Sequence, residues 1–371
     1  MNWSFGRTFN EKVYRMNGLR SSKVMIATFS RHARSLLHSF GKIDWFLFAN
    51  ELKRFSHNNH RIGFSVPNAK PYNIVMPSTR IRCYDIIRFF SKYNVLAELY
   101  KEGYQYSILI FNKCFDDEHI ALAEELKDKG TVIVFDVNVD YINFKKGEKD
   151  LVQNVVKMLD LSDMVITASE YLHKVYQEYN LNTVVIEESV SKDFFRVRKQ
   201  HEDKDTVFLM YVGYAEKAQE LYLIEDVLKR LYVEYGVRLL FICERDPKLK
   251  IIPYDYKKYD HKVLPFLLLE GDIKIAPRDL SEKRKLGHTF TKVAYPMAMG
   301  LPAVASPVES YLDRGVLICR DGSSWYKQLK RLITSPEERT AIGYEGRRIV
   351  EEQLSIDTIG KMYLELFQKY L

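Results

Sequence analysis

Read for hydrophobicity alone, the chain alternates short runs of consecutive apolar residues with stretches in which apolar residues recur every three or four positions. The runs lie at Lys23–Phe29, Arg61–Val66, Asn73–Met76, Tyr106–Phe111, Thr131–Val137, Met164–Ala168 and Thr183–Ile186. Helical periodicity falls at Arg31–Phe40, from about Ile81 to Glu102, and at Glu118–Lys129, Asp150–Leu159 and Tyr171–Tyr179. A strand that is apolar without alternation is buried on both faces, which requires a parallel sheet with helices on either side. The segment Arg196–Asp205 (RVRKQHEDKD) has one aliphatic residue, Val197, and contributes little to any core, so it reads as a connection between domains.

Beyond it the alternation restarts. Val207–Val212, Arg238–Cys243, Asp272–Ala276, Pro302–Ala305 and Val316–Cys319 are strand-like, with a further element at Lys262–Leu269. Helices are expected at Glu220–Tyr235, after Gly287, and at Ser324–Leu332, Pro336–Gln353 and Ser355–Leu371. The fold class is therefore α/β: two Rossmann-like, doubly wound domains over 1–195 and 206–352, facing a central cleft, with a last segment at 353–371. In open parallel sheets ligands bind at the carboxyl ends of the strands, so the functional loops belong at that cleft.

With 371 residues, 46% of them apolar and only 17 Gly and 11 Pro, the chain is neither disordered nor repetitive. Its net charge of +7 is interspersed along the length. That surplus suits phosphorylated or anionic ligands, whereas nucleic acid would need basic residues clustered with stacking aromatics. The four cysteines (Cys83, Cys114, Cys243, Cys319) are scattered and the histidines, His57 and His60 included, lack ligand spacing, so no metal site is expected. Arg7, Glu11 and Lys12 stand where a signal peptide would be apolar, and the uncharged stretch Val293–Val308 is broken by three prolines and Gly300. A cytoplasmic protein is the expectation.

The richest stretch is Asp272–Pro307. A buried strand ends at Pro277, followed by a loop with Arg278, Lys283, Arg284 and Lys285, and Gly287 opens a helix with His288, Thr289 and Phe290 in its first turn. The free N–H groups and positive dipole end of such a turn attract anions, and Lys292 is within reach of the same ligand. The same pattern also describes a solvated basic loop ahead of an ordinary helix.

The sequence D-I-K-I-A-P followed by K-V-A-Y-P-M-A-M-G-L-P-A-V-A-S-P resembles the donor-binding segment of GT-B glycosyltransferases, in particular the family 4-like retaining enzymes. Asp272, Pro277, Lys292, Met297, Ala298, Gly300, Pro302, Ala305 and Ser306 match that pattern, and the resemblance continues through the terminal helices, which implies that the helix at 353–371 crosses back onto the N-terminal domain. Weaker likenesses lie at Pro77–Ile87, Ile110–Tyr141 and Asp163–Leu172. The family's paired glutamates fall on His288 and Tyr295, and its arginine–lysine pair is missing from Gly213–Lys217.

The resemblance implies a hexosyltransferase that moves a sugar from a nucleotide-sugar to a glycan, lipid-linked or other acceptor, with configuration retained and no metal or other cofactor. Lys292, Arg278 and Lys217 would then stabilise the leaving diphosphate. Gly213, Tyr214, Glu244, Leu264, Gly287, His288, Thr289, Phe290 and Tyr295 would hold the donor. Acceptor contacts are sought at Ser30, Arg31, His32, Arg80, Asp136 and Asp140, although Asp136 also suits a strand-end anchor. Lys12, Arg15, Arg20 and Lys23 suit contact at the inner face of a membrane, or simply a solvated surface. The lost glutamates suit a second reading, a catalytically lapsed GT-B module that binds glycan or a partner enzyme.

Overall fold

The computed structural model describes residues 61–67, 69–72, 75–143 and 149–371. The chain divides into units at 1–58 and 59–371, and the description concerns the second. The expected strand Lys23–Phe29, helix Arg31–Phe40, and candidates Ser30, Arg31 and His32 lie outside the described residues.

The first lobe begins with β1 (Arg61–Ser65). A helical segment follows, α1 (Pro77–Thr79), passing through a π-helical stretch, Arg80–Tyr84, into α2 (Asp85–Ser91). Next come β2 (Leu96–Leu99), β3 (Ile108–Asn112), α3 (Asp117–Asp128), β4 (Val132–Val137) and α4 (Lys149–Leu161). β5 (Met164–Thr167), α5 (Glu170–Tyr176) and β6 (Thr183–Val185) complete it, with a 3-10 turn at Lys192–Phe195. The strands form one parallel sheet ordered β2-β1-β3-β4-β5-β6. β3 is buried at every residue, as a central strand covered on both faces must be. Two expectations need correcting. Val75 and Met76 are not in a strand, and the long helix expected to Glu102 stops at Ser91, after which the chain forms β2.

The second lobe runs β7 (Phe208–Val212), a 3-10 stretch at Ala215–Ile224, α6 (Glu225–Tyr235), β8 (Arg238–Cys243), β9 (Tyr254–Lys258) and α7 (Leu264–Leu268). It continues with β10 (Ile273–Ala276), α8 (Lys283–Leu286), α9 (Thr291–Ala298), β11 (Ala303–Ala305), β12 (Leu317–Ile318) and α10 (Gly322–Thr334). Its sheet is also parallel, ordered β12-β11-β10-β7-β8-β9. β9 was not anticipated. Its sequence, Tyr-Asp-Tyr-Lys-Lys, is that of a half-wet edge strand with no continuous apolar run.

α11 (Pro336–Leu354) and α12 (Ile356–Phe367) close the chain. Val190 of the first lobe donates its N–H to Leu354 O at 2.7 Å and accepts from Ile356 N–H at 3.1 Å. α12 then packs on α2, where a side chain on Gly360 would sit 2.4 Å from the Phe89 ring. The Arg196–Asp205 connection has no regular structure but is tied down. Arg347 donates to the Phe195 and Val197 carbonyls, His201 Nε2 meets Gly300 O at 2.9 Å, and Arg339 donates to Glu202 O.

Candidate functional site

Strand β10 stops at Ala276 because Pro277 cannot donate to the ladder. α9 starts at Thr291, later than the sequence suggested. His288, Thr289 and Phe290 precede it, with Phe290 at the N-cap position and making no side-chain cap. The Phe290 ring does not face a ligand. It is buried beside Tyr311, with the Arg314 guanidinium 4.0 Å over it, and so anchors the loop. Pro296 inside the helix and Gly300 beyond it, at φ 82°, keep α9 short.

The start of α9 faces the first lobe and is covered by it. A Cβ on Gly287 would meet the Leu172 and Tyr171 side chains at 3.1 and 3.4 Å. Thr289 Oγ1 donates to Glu188 Oε2 at 2.8 Å, and Thr291 Oγ1 donates to the same oxygen. Glu188 comes from the first lobe, just after β6, and its other oxygen accepts from Asn138 Nδ2 at 2.6 Å. Burial opposes its charge, yet Arg82 and these three donors outweigh burial and hold its pKa below the ordinary carboxylate value. Glu188 had no place in the sequence reading, and its only local signal is an acidic pair, Glu187–Glu188, straight after an apolar strand.

Positive potential concentrates on the second-lobe side. Burial, then Arg278 and Lys217, push the Lys292 amine down to about 8, against the pull of Glu188. His288 is pushed down to about 2 by burial and by Arg278, Lys217, Lys292 and Lys285, so it is neutral, and its buried Nε2 has no hydrogen-bond partner. Lys274 is the one charged residue within β10. Its Nζ lies 5.1 Å from the Tyr211 ring centroid without a hydrogen-bond partner, and burial with Arg278 holds it well below the lysine range. Arg278 is itself buried. It is ion-paired with Glu220, and its backbone N–H donates to Ser306 Oγ at 2.8 Å. Neither Glu220 nor Lys274 was singled out from the sequence, although a lysine inside the apolar run Ile273–Ala276 was a legible signal.

Around the ends of β7 and β8, Gly213 takes φ 155°, and a Cβ there would lie 3.1 Å from Tyr211 Oη. Tyr211 Oη donates to Tyr214 O at 3.0 Å, and the Glu244 carboxylate accepts from Ala215 N–H at 3.0 and 3.3 Å. Glu244 thus caps the 3-10 stretch after β7. The Leu264 side chain is buried, which leaves only its backbone for a ligand. Tyr295 packs on Phe194 of the first lobe at 4.4 Å between centroids, and burial raises its phenol well above the ordinary range. Arg80 reaches across from the first lobe, its Nη2 donating to Tyr259 Oη at 3.3 Å.

Two acceptor-side candidates, Asp136 and Asp140, are held by neighbouring groups, and for Asp136 this is the strand-end anchor weighed beside the acceptor role. Asp136 is fully buried and paired, accepting from Arg82 Nε at 2.8 and 3.0 Å and from Asn112 Nδ2 at 2.9 Å. The in-register pairing of Asn112 with Asp136 across β3 and β4 sets that contact. Asp140 is buried too, accepting from the N–H groups of Ile142 and Asn143, Asn143 Nδ2 and Tyr171 Oη. Both carboxylates hold the fold and present no free oxygen to a substrate. Lys113 follows β3 directly, next to Asn112. It is held at φ 57°, a conformation costly for a side-chain-bearing residue, with Nζ donating to Ser78 Oγ at 2.5 Å. Among the described residues no group of His, Cys, Asp and Glu side chains is arranged to hold a metal ion.

No family model matches the sequence, and no curated protein matches it in sequence. Solved structures do match in fold. Sucrose-phosphate synthase from Thermosynechococcus elongatus aligns with a TM-score of 0.58 at 12% identity, covering 84% of this chain and 98% of that one. A glycosyltransferase from Rickettsia africae gives 0.58 at 13%, covering 85% and 99%. Anabaena HepE, in complex with UDP and glucose, gives 0.60 at 11%, covering 84% and 100%. The chain therefore has the GT-B fold, two parallel six-stranded sheets with flanking helices.

Proposed function

We propose that this chain is a retaining, metal-independent glycosyltransferase that takes a sugar from a nucleotide-sugar donor. The carrying observation is the gathering of Arg278, Lys217 and Lys292 about the start of α9, where their charges add to burial in lowering the basicity of His288 and Lys292. Buried cations crowded in this way are relieved when an anion arrives, so the site gains most from a ligand with concentrated negative charge. A nucleotide diphosphate is such a ligand, and the likeness to a protein holding UDP and glucose supports it.

In the proposed reaction the bond between the anomeric carbon and the phosphate oxygen breaks, and its electron pair leaves with the diphosphate. Lys292, Arg278 and Lys217, with the N–H groups and threonine hydroxyls at α9, stabilise that charge without a divalent ion. The acceptor oxygen bonds to the anomeric carbon on the face the diphosphate vacates. Its proton passes to the leaving phosphate oxygen, and configuration is kept. Base and ribose would lie near Gly213, Tyr214, Glu244 and the Leu264 backbone, with Tyr295 offering at most one hydrogen bond where the family has a carboxylate. The acceptor, a glycan or lipid-linked molecule, would meet the first-lobe wall at Lys113 and Arg80. Among the described residues no helix is long and apolar enough to cross a membrane, so a lipid-linked acceptor would be met at the surface of one.

The test is thermal shift and product formation with UDP-, GDP- and ADP-sugars. One donor should raise the melting temperature, and Lys292→Ala should abolish turnover while the protein remains folded. Unchanged turnover in Lys292→Ala would overturn the assignment. A lapsed binding module is the second reading, favoured by Tyr295 packing on Phe194 where a carboxylate is usual. No affinity for any of these donors at millimolar concentration would select it.

A further inference from the structure

The carboxylate of Glu188 sits where the proposed function puts a phosphate. Both threonine hydroxyls at the start of α9 donate to one of its oxygens, and Lys292 feels its charge. We propose that Glu188 is an internal counter-anion which a nucleotide diphosphate must displace, so that donor binding and parting of the lobes at this seam are a single event.

The partners of Glu188 divide between the lobes in a way that suits such an exchange. Asn138 binds it from its own lobe, and Arg82, the cation that chiefly stabilises its charge, also belongs there. Lys113, likewise in the first lobe, feels Glu188 as the largest favourable charge acting on it. The hydrogen-bond donors Thr289 and Thr291 come from the second lobe, as does Lys292, which feels the Glu188 charge. When the lobes part, Glu188 stays compensated and the threonine hydroxyls become free for another anion. Two anions cannot share those hydroxyls at contact distance, because their charges repel.

Beside the ring contact of Tyr295 with Phe194, part of the seam is polar. Lys174 pairs with Glu309 at 2.6 Å and Arg314 with Glu187 at 2.7 Å, and Tyr171 Oη donates to Lys283 O at 2.8 Å. Such pairs near the surface contribute little individually. Two residues beyond Glu188, Val190 forms the backbone link to Leu354 and Ile356, so the carboxylate lies beside the crossing point of the chain.

This inference rests on the proposed anion site, and titration calorimetry separates the two. Inorganic pyrophosphate, UDP, GDP, ADP and the uncharged control uridine are titrated into the full chain as wild type, Glu188→Gln and Glu188→Ala. Glu188→Gln keeps the hydrogen-bonding shape and removes the charge. It should bind pyrophosphate and UDP at least tenfold more tightly than wild type, with uridine unchanged. Glu188→Ala removes the carboxylate altogether and should also tighten pyrophosphate binding, which keeps the test alive if Glu188→Gln does not fold. Equal or weaker pyrophosphate binding in the folded variants, with wild type still binding UDP, would overturn the exchange and leave the anion site standing. If no variant binds pyrophosphate, UDP, GDP or ADP, both readings fall.

Discussion

Replacing Lys292 by methionine keeps the aliphatic stem and deletes the ammonium, which turns the positive potential of the site into a stability measurement. In the folded protein the amine is pushed from 10.5 to about 8, mainly by burial and then by Arg278, with Glu188 opposing. Each unit is worth about 1.4 kcal/mol, so the charged ammonium costs the native state roughly 3 kcal/mol at neutral pH. The folded value lies below the unfolded one, so this penalty is complete below the folded pKa. It fades as pH climbs from about 8 towards 10.5, where the unfolded chain keeps a proton the folded chain has lost. Lys292→Met should therefore be more stable than wild type by up to roughly 3 kcal/mol at pH 7, shrinking to under about 1 kcal/mol by pH 10. It should also lose pyrophosphate binding, a direct exchange of function for stability. Urea unfolding at the two pH values, followed by tryptophan fluorescence and far-UV circular dichroism, measures this. A variant less stable than wild type at pH 7, or a gain indifferent to pH, refutes the reasoning.

Two further changes probe the frame around the site. Arg82→Met strips the fully buried Asp136 of its guanidinium and should destabilise by about 3–5 kcal/mol, whereas Arg82→Met with Asp136→Asn should recover a large part of that loss; thermal melts compare them. Gly343→Ala places a methyl 2.0 Å from the Gly300 carbonyl oxygen, a backbone atom that cannot swing aside. A loss of more than about 1–3 kcal/mol is expected. Gly322→Ala, whose nearest neighbour would be Val227 Cγ2 at 3.6 Å, serves as the tolerated control in the same urea titration.

Much of the architecture was legible in the chain because parallel strands covered on both faces must be apolar throughout. Ile108–Asn112 and Arg238–Cys243 are read directly as such strands, and the restart of the pattern after Asp205 marks the second lobe. Two of the four edge strands, β9 and β2, were lost for the same reason. Tyr254–Lys258 has charged residues along it, and Leu96–Leu99 merges with the amphipathic pattern of the helix before it. The cationic loop with Lys292 and His288 was also visible, since those residues are close in sequence.

Local order along the chain thus determined which segments are strands, which are helices, and where basic residues gather ahead of α9. Only the tertiary structure decided what meets them. Glu188 and Thr289 are 101 residues apart, and Arg82 and Asp136 are 54 apart. No periodicity relates such partners. Asp136 read in sequence either as a strand-end anchor or as an acceptor contact, and the partners that hold it and Asp140 come from the packing of β3 on β4 and the turn at Asn143. A residue's type limits the bonds it is able to make, while its neighbours across the fold decide which of them remain for a ligand.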